Sequence, residues 1–237
     1  MNIGIKYALA GSALVFLLGA TTEINIGVNN QVNTGTIVGG NCRKGNGIIV
    51  KEQRSLEAFK DLAVEGVFVV NLSCGPKSEV AVTADKNLHP LIDAVVKNNK
   101  LSLSTTESYC TENSFVVDIV QKDLSSITAD GSSELVVDCS SFVNDKLSVD
   151  LHGTTTLKIS GTVKSLDLKI QDTAEFDGSE LNAGNISIKA SDATTARLNV
   201  TGKLTGTGTD ASTIHYSGKP KVVDVDAQDV SEFTPED

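Results

Sequence analysis

Between residues 124 and 233, apolar and polar positions alternate in a pattern that returns every 18–22 residues. Anchoring each unit on a small or acidic residue gives Gly131, Gly153, Asp172, Asp192, Asp210 and Asp229, at spacings of 22, 19, 20, 18 and 19. The positions six, four and two before each anchor read Ser125, Ile127, Ala129; Leu147, Val149, Leu151; Leu166, Leu168, Ile170; Ile186, Ile188, Ala190; Leu204, Gly206, Gly208; and Val223, Val225, Ala227. Apart from Ser125 and the two glycines these are aliphatic or Ala, and Ser, Asp, Lys or Thr mostly fill the positions between them. Two after the anchor stands a small residue (Ser133, Thr155, Ala174, Thr194, Ser212, Ser231). Four after it stands Leu135, Leu157, Phe176, Ala196, Ile214 or Phe233. Alternation with a period of two buries one face of a strand, and a longer period near 19 brings that face back in register. One unit has too little apolar surface to fold alone, whereas stacked units build a continuous core. The pattern therefore predicts an all-β fold, a narrow parallel β-helix. A β-sandwich would need two-residue Asn-Gly or Asp-Gly hairpins and would not hold the anchor in register.

The pattern occurs once earlier, where Leu62 and Val64 precede Gly66 and Phe68 and Val70 follow it. The residues separating Gly66 from Gly131 read as one coil widened by insertions. One insertion is predicted to be a short helix over residues 85–97: Leu88, Leu91, Ile92, Val95 and Val96 fall at helical spacing, Asp85 or Asn87 can cap its start, and Pro90 fits its first turn. The other is a loop at residues 109–114. The expected organisation is a signal peptide at 1–20, a polar lead-in with short strand-like pieces at 21–46, and a single β-helix domain at 47–233, ending in an acidic tail at 234–237. Within the domain, coils are wide over 47–123 and regular over 124–233.

The signal reading rests on Lys6 followed by an uncharged apolar run over residues 7–18, with Gly19 and Ala20 offering small residues for cleavage. That run is shorter than the ~18 residues of a membrane span, so an uncleaved anchor is the weaker alternative. Expected destinations are the periplasm, the outer-membrane surface or the exterior. Residues 1–20 hold one Lys and no acid, leaving 20 − 1 = 19 basic against 30 acidic residues, a net charge of −11. Such a balance argues against a nucleic-acid partner and against docking on anionic lipid. Four cysteines, Cys42, Cys74, Cys110 and Cys139, form an even set that reads as two structural disulfides in an exported chain. Cys74 and Cys139 each lie eight residues after an anchor, with one coil counted between them, too far for a bond whose Cα atoms must lie within ~7 Å. Sequential pairing, Cys42–Cys74 and Cys110–Cys139, is therefore expected, with Cys74–Cys110 as the alternative.

The N-terminal half resembles a known family. The residues GNGIIVKEQRSLEAFKDLAVEGVFVVNLSCG, SEVAVTADKNLHPLI and KLSLST are similar to the GIN domain, the head domain of autotransporter-adhesin-like exported bacterial proteins. The carriers are Gly45, Gly47, Val50, Glu52, Arg54, Phe59, Gly66, Asp85, Asn87, Leu88, Pro90 and Ile92, with Gly131-Ser132-Ser133 and Gly153-Thr154-Thr155 as looser turn matches. The resemblance spans about residues 45–231. It implies a right-handed parallel β-helix of unassigned activity and carries over no catalytic residue; the four cysteines are not part of its pattern.

Candidate chemistry is sparse. Asp172, Asp192, Asp210 and Asp229 would stack carboxylates along one turn, which could hold Ca²⁺; alternatively each Asp bonds its own turn backbone. Because Gly fills the same column in two units, the requirement reads as one of turn geometry. Polysaccharide lyases and hydrolases need convergent acids or an acid beside a base, whereas Arg43, Arg54 and Arg197 stand in unrelated places and Asp138, Asp150, Asp167, Glu175 and Asp177 are sporadic. His89, His152 and His215 share no column, and no cofactor motif occurs. The expected function is a non-catalytic envelope or extracellular protein with an adhesin-like binding or scaffolding surface for a cell-surface, cell-wall or protein ligand. A polysaccharide-active enzyme and a purely structural envelope component are the alternatives. A specific site is expected first at the insertion near residues 85–97 and Cys110.

Overall fold

The structure, a computed structural model, describes residues 42–236. The predicted signal peptide, most of the lead-in and the last residue of the acidic tail lie outside them. The chain winds into the expected parallel β-helix, with each coil laying one strand on each of two main faces. On the first face a single inner row runs Leu62, Ile127, Val149, Leu168, Ile188, Gly206, Val225, each paired with the next. On the second it runs Val70, Leu135, Leu157, Phe176, Ala196, Ile214, Phe233. These are the positions four before and four after the anchors, so the predicted register is the observed one. Three long strands, Glu134–Leu151, Thr156–Ile170 and Glu175–Ala190, pass from the second face to the first through a bend where the pairing register shifts.

The anchors are the corners at which the chain turns from the first face to the second. All seven, Gly66, Gly131, Gly153, Asp172, Asp192, Asp210 and Asp229, have positive φ, between 57° and 114°. Only Gly, and more rarely Asn or Asp, adopts that region at small cost. Gly131 is further constrained by its neighbour: a Cβ there would lie 2.4 Å from the carbonyl oxygen of Gly66.

Two expectations fail in the N-terminal half. First, residues 85–97 are not a helix. Glu79–Asp85 and Ile92–Lys97 are strands, joined through a single 3₁₀ turn at His89–Leu91 with Pro90 as its second residue. Leu88, Leu91 and Ile92 are buried as predicted, but Val95 is half exposed. The run from Ile92 alternates instead with period two, and Asn98 and Asn99, both at positive φ (52° and 65°), close a tight hairpin onto Lys100–Thr105. Two successive left-handed residues are what a type I′ hairpin turn requires. That signal outweighs the helical spacing.

Second, coil order along the axis is not chain order. The strands Lys100–Thr105 and Val116–Gln121 pair with the outer edges of Asp61–Gly66 and Val69–Cys74. The chain then crosses back, so that Ser126–Gly131 and Glu134–Leu151 occupy the opposite edges of the same two strands. Gly66 and Gly131 are therefore direct neighbours, with nothing between them. The disulfides follow: Cys74–Cys139 bridges adjacent strands (Cα–Cα 5.0 Å), and Cys42–Cys110 ties the start of the described chain to the 109–114 loop (Cα–Cα 5.6 Å). Sequential pairing is thus wrong. It assumed an intervening coil that lies on the other side of the stack.

The two ends of the solenoid differ. At the N-terminal end, antiparallel strands extend both faces, and Phe59, Leu88, Leu91 and Leu124 are buried there. At the C-terminal end, among the described residues, Val222–Ala227 pairs only with Lys203–Gly208, and Glu232–Pro235 only with Thr213–Ser217. Among the described residues, no helix is long and apolar enough to cross a membrane.

Candidate functional site

Three places carry the residues singled out by sequence. The first is the anchor column. Its carboxylates do not bond the backbone of their own turns, as the sequence suggested: each accepts the backbone N–H of the anchor in the preceding coil, and Asp192 and Asp210 also accept the hydroxyls of Ser191 (3.1 Å) and Thr209 (2.9 Å). Gly153 donates to Asp172 (2.9 Å), Asp172 to Asp192 (3.3 Å), Asp192 to Asp210 (3.4 Å) and Asp210 to Asp229 (3.3 Å). A left-handed corner turns its N–H out of the ladder, where no carbonyl meets it, and the side chain one coil on supplies the missing acceptor. This arrangement explains why Asp replaces Gly from the third unit onward, since Gly satisfies the backbone angle but cannot bond the neighbour. The column lies exposed, and among the described residues no group of three or more His, Cys, Asp or Glu side chains is arranged to hold a metal ion.

The second place is the insertion, where a site was expected. A cleft of about 370 Å³ opens here, lined by Lys44, Gly45, Gly47, Asp85, Cys110, Thr111, Glu112 and Asn113. The Asp85 side chain is completely buried. One oxygen accepts the Gly47 N–H (2.6 Å); the other accepts the Thr111 hydroxyl (2.6 Å) and the Asn113 amide (3.3 Å). Gly45 packs against the carboxylate so closely that a Cβ would sit 2.7 Å from its Cγ. Asp85 thus joins three segments distant in sequence, with three protein donors on its two oxygens. Asn87, predicted as a helix cap, instead bonds the Lys44 carbonyl and the Asn46 amide.

Beside this cleft His89 is buried, its Nε2 2.9 Å from the Val50 carbonyl. A carbonyl only accepts, so Nε2 carries a proton. Nδ1 faces Arg54 (3.4 Å) and Glu52 (3.3 Å), which themselves pair at 3.4 Å. The Val-x-Glu-x-Arg residues therefore clamp the 3₁₀ turn onto the strand Ile49–Arg54. His152 pairs with Asp150 and His215 with Glu236, far from His89 and from each other in the stack.

The third place is the outer surface. Many of its acids are engaged with bases one coil away: Asp167 with Lys146 (2.7 Å), Asp150 with Lys169 (3.8 Å), Glu175 with Arg197 (3.2 Å) and Asp224 with Lys203 (3.4 Å). Asp138 accepts from Ser160. At Asp177 burial works to raise the carboxyl, but two hydrogen bonds from Ser179, with Lys158 and Arg197 nearby, hold it below the usual carboxylate range. On the first face, Ser165, Asp167, Asn185, Ser187, Lys203 and Thr205 line a shallow depression of about 300 Å³. Such exposed pairs contribute ~0–1 kcal/mol each. On the second face Glu79, Asp118 and Asp138 line one depression of about 280 Å³, where Asp118 pairs with Lys51 (2.6 Å) and accepts from the Asn71 amide (3.0 Å).

Sequence reasoning missed the Asp85 junction and the coil-to-coil amide bonds, since both depend on which segments become neighbours. The small-residue column two after each anchor was legible in the sequence, but not that most of its hydroxyls are buried. Thr155, Thr194 and Ser212 are buried two positions after their anchors with no partner among the described residues, whereas Ser133 accepts the Phe68 N–H and donates to the Gly66 carbonyl. The column's requirement is for small size, since Ala174 fills it equally well.

Known proteins place this geometry. A putative adhesin of Bacteroides fragilis superposes with a TM-score of 0.68 at 16% identity, covering 81% of this chain and 99% of that one, which shows the shared fold. Putative adhesins of Parabacteroides merdae (17% identity, 82% and 98% covered) and Parabacteroides distasonis (19%, 82% and 99%) align with TM-scores of 0.49 and 0.48. No curated protein matches the chain. The family described as "Putative auto-transporter adhesin, head GIN domain" matches residues 58–220, well over half of the chain, and the chain belongs to that family.

Proposed function

We propose that the chain is a non-catalytic protein of the cell envelope or exterior, exported after removal of residues 1–20, whose elongated flank is an adhesin-like binding surface. The observation that carries this reading is the state of its acids. On the regular coils most of the outward carboxylates are engaged in coil-to-coil pairs or with corner amides, and three protein donors hold the buried carboxylate of the insertion. What the flank offers is polar rows in register, such as Ser126, Ser148, Asp167, Ser187, Thr205 and Asp224. Rows of hydroxyl, amide and charged groups at strand spacing suit an extended ligand, a glycan or a protein strand, recognised by hydrogen bonds. Family membership and the two disulfides support export.

The test is a glycan and envelope-extract binding screen run beside a reducing-end assay on acidic polysaccharides. Binding without turnover, weakened by Ser187→Glu together with Thr205→Glu, supports the proposal. Turnover that disappears on changing Asp167 or Asp118 overturns it in favour of a polysaccharide-active enzyme. Silence in both assays also overturns it and leaves a purely structural envelope component.

A further inference from the structure

Among the described residues, the last coil leaves its outer side uncovered. Positions that are buried in most earlier units, exposed Ser125 and half-buried Gly206 apart, are open here: Val223 is 42% exposed, whereas Leu204, directly beneath it, is completely buried. Val225 is half-buried, Ala227 exposed, and among the described residues no strand lies beside one edge of Val222–Ala227. The corner ladder also stops short, because the Asp229 amide has no further anchor to supply its acceptor. A missing occupant is thereby specified: apolar residues six, four and two before an anchor, and an anchor that tolerates positive φ while carrying a side-chain acceptor.

Residues 23–30 of this chain, Glu-Ile-Asn-Ile-Gly-Val-Asn-Asn, meet that specification. With Asn30 as the anchor, Ile24, Ile26 and Val28 fall on the three inner positions. Asn is the side chain other than Asp that enters the left-handed region most readily, and its amide oxygen can accept the Asp229 N–H. In parallel register Ile24 would cover Val223, Ile26 Val225 and Val28 Ala227, and Asn25 and Gly27 would face Asp224 and Asp226 without adding charge.

We infer that residues 23–30 of one copy of this chain add a strand to Val222–Ala227 of another, joining copies head to tail. The donor comes from a second copy for reasons of reach. Cys42 is tied to Cys110 at the N-terminal end, and seven strand spacings of ~4.8 Å, about 34 Å, separate Lys100–Thr105 from Val222–Ala227 along the first face. The eleven residues between Asn30 and Cys42 span about 36–40 Å only when drawn out straight. Docking within one copy would demand that full extension; docking on the next copy demands none. Because donor and acceptor are different surfaces, the contact is heterologous and does not close on itself. This inference is independent of the binding-surface reading above.

The test is light scattering on the chain lacking residues 1–20, across micromolar to submillimolar concentrations. The wild-type mass should rise with concentration, and Ile26→Asp and Val225→Asp should each stay monomeric. Ile26→Asp alters no residue of the described fold, so its effect is not one of misfolding. Mixed in equal amounts, the two variants should form a dimer and nothing larger, since each retains the half the other has lost. A wild-type chain that remains monomeric throughout, an assembly that survives Ile26→Asp, or a mixture that stays monomeric would each overturn the inference.

Discussion

Asp192 carries three separable effects, and substituting it measures each. Its φ of 64° lies in the left-handed region, which costs an ordinary L-residue ~1–2 kcal/mol relative to Gly. Its carboxylate accepts the Asp172 N–H at 3.3 Å, an exposed bond of ~0.5–1.5 kcal/mol. Stacked at ~4.8 Å between Asp172 and Asp210, it also repels each by ~1 kcal/mol in water at low salt. Asp192→Asn keeps the acceptor and the tolerance of positive φ while removing the repulsion, so it should stabilise by about 1–2 kcal/mol at low salt. That gain should shrink in 0.5 M NaCl, where the Debye length falls below the carboxylate spacing. Asp192→Gly loses the bond but relieves both strain and repulsion, and should match or exceed the wild type. Asp192→Ala loses the bond and keeps the strain, falling ~1–2 kcal/mol below the Gly variant. For a chain of this size 1 kcal/mol moves Tm by about 2–4 °C, so thermal melts by circular dichroism at two salt concentrations resolve the series. An Ala variant as stable as the Gly variant would refute the corner reading. A millimolar-Ca²⁺ increase in wild-type Tm that the Asn variant lacks would show the column to be an ion site instead.

Three further outcomes are expected. Leu168→Asp or Val149→Asp places an unpaired charge in a completely packed inner row and should abolish folding; normal secretion with a native thermal transition would contradict the register. Changing Cys74 and Cys139 together to Ser should lower stability by about 2–5 kcal/mol, and non-reducing peptide mapping of the wild type should recover Cys74 with Cys139 and Cys42 with Cys110. Asp85→Ala removes the buried acceptor that ties the Gly47 N–H and the half-buried Thr111 and Asn113 donors together, for a loss of about 1–3 kcal/mol, while proteolysis of the 109–114 loop should accelerate; unchanged denaturant midpoints would show that the junction is dispensable.

The alternation of Leu147, Val149 and Leu151 with polar residues, repeated at Leu166, Leu168, Ile170 and Ile186, Ile188, Ala190, was enough to give strand, inner face and stacking register. Period-two burial and a recurring corner are local properties of the chain, and Gly or Asp at each anchor announces the positive φ directly. Residues 88–97 were misread because buried Leu88, Leu91 and Ile92 fit either period; Asn98-Asn99 held the deciding signal, a hairpin whose partner strand lies two residues on. The disulfide pairing and the Asp85 junction were out of reach for a different reason. A strand has two edges, and nothing local tells the chain which edge of Asp61–Gly66 receives Lys100–Thr105 and which receives Ser126–Gly131. That choice belongs to the tertiary structure: the antiparallel strands, the 3₁₀ turn and the Asp85 junction close the end beneath Lys100–Thr105, leaving the opposite edge free for every later coil. Once it is made, Cys74 meets Cys139, Cys42 meets Cys110, and carboxylates that look evenly spaced in sequence become acceptors for one another's corners.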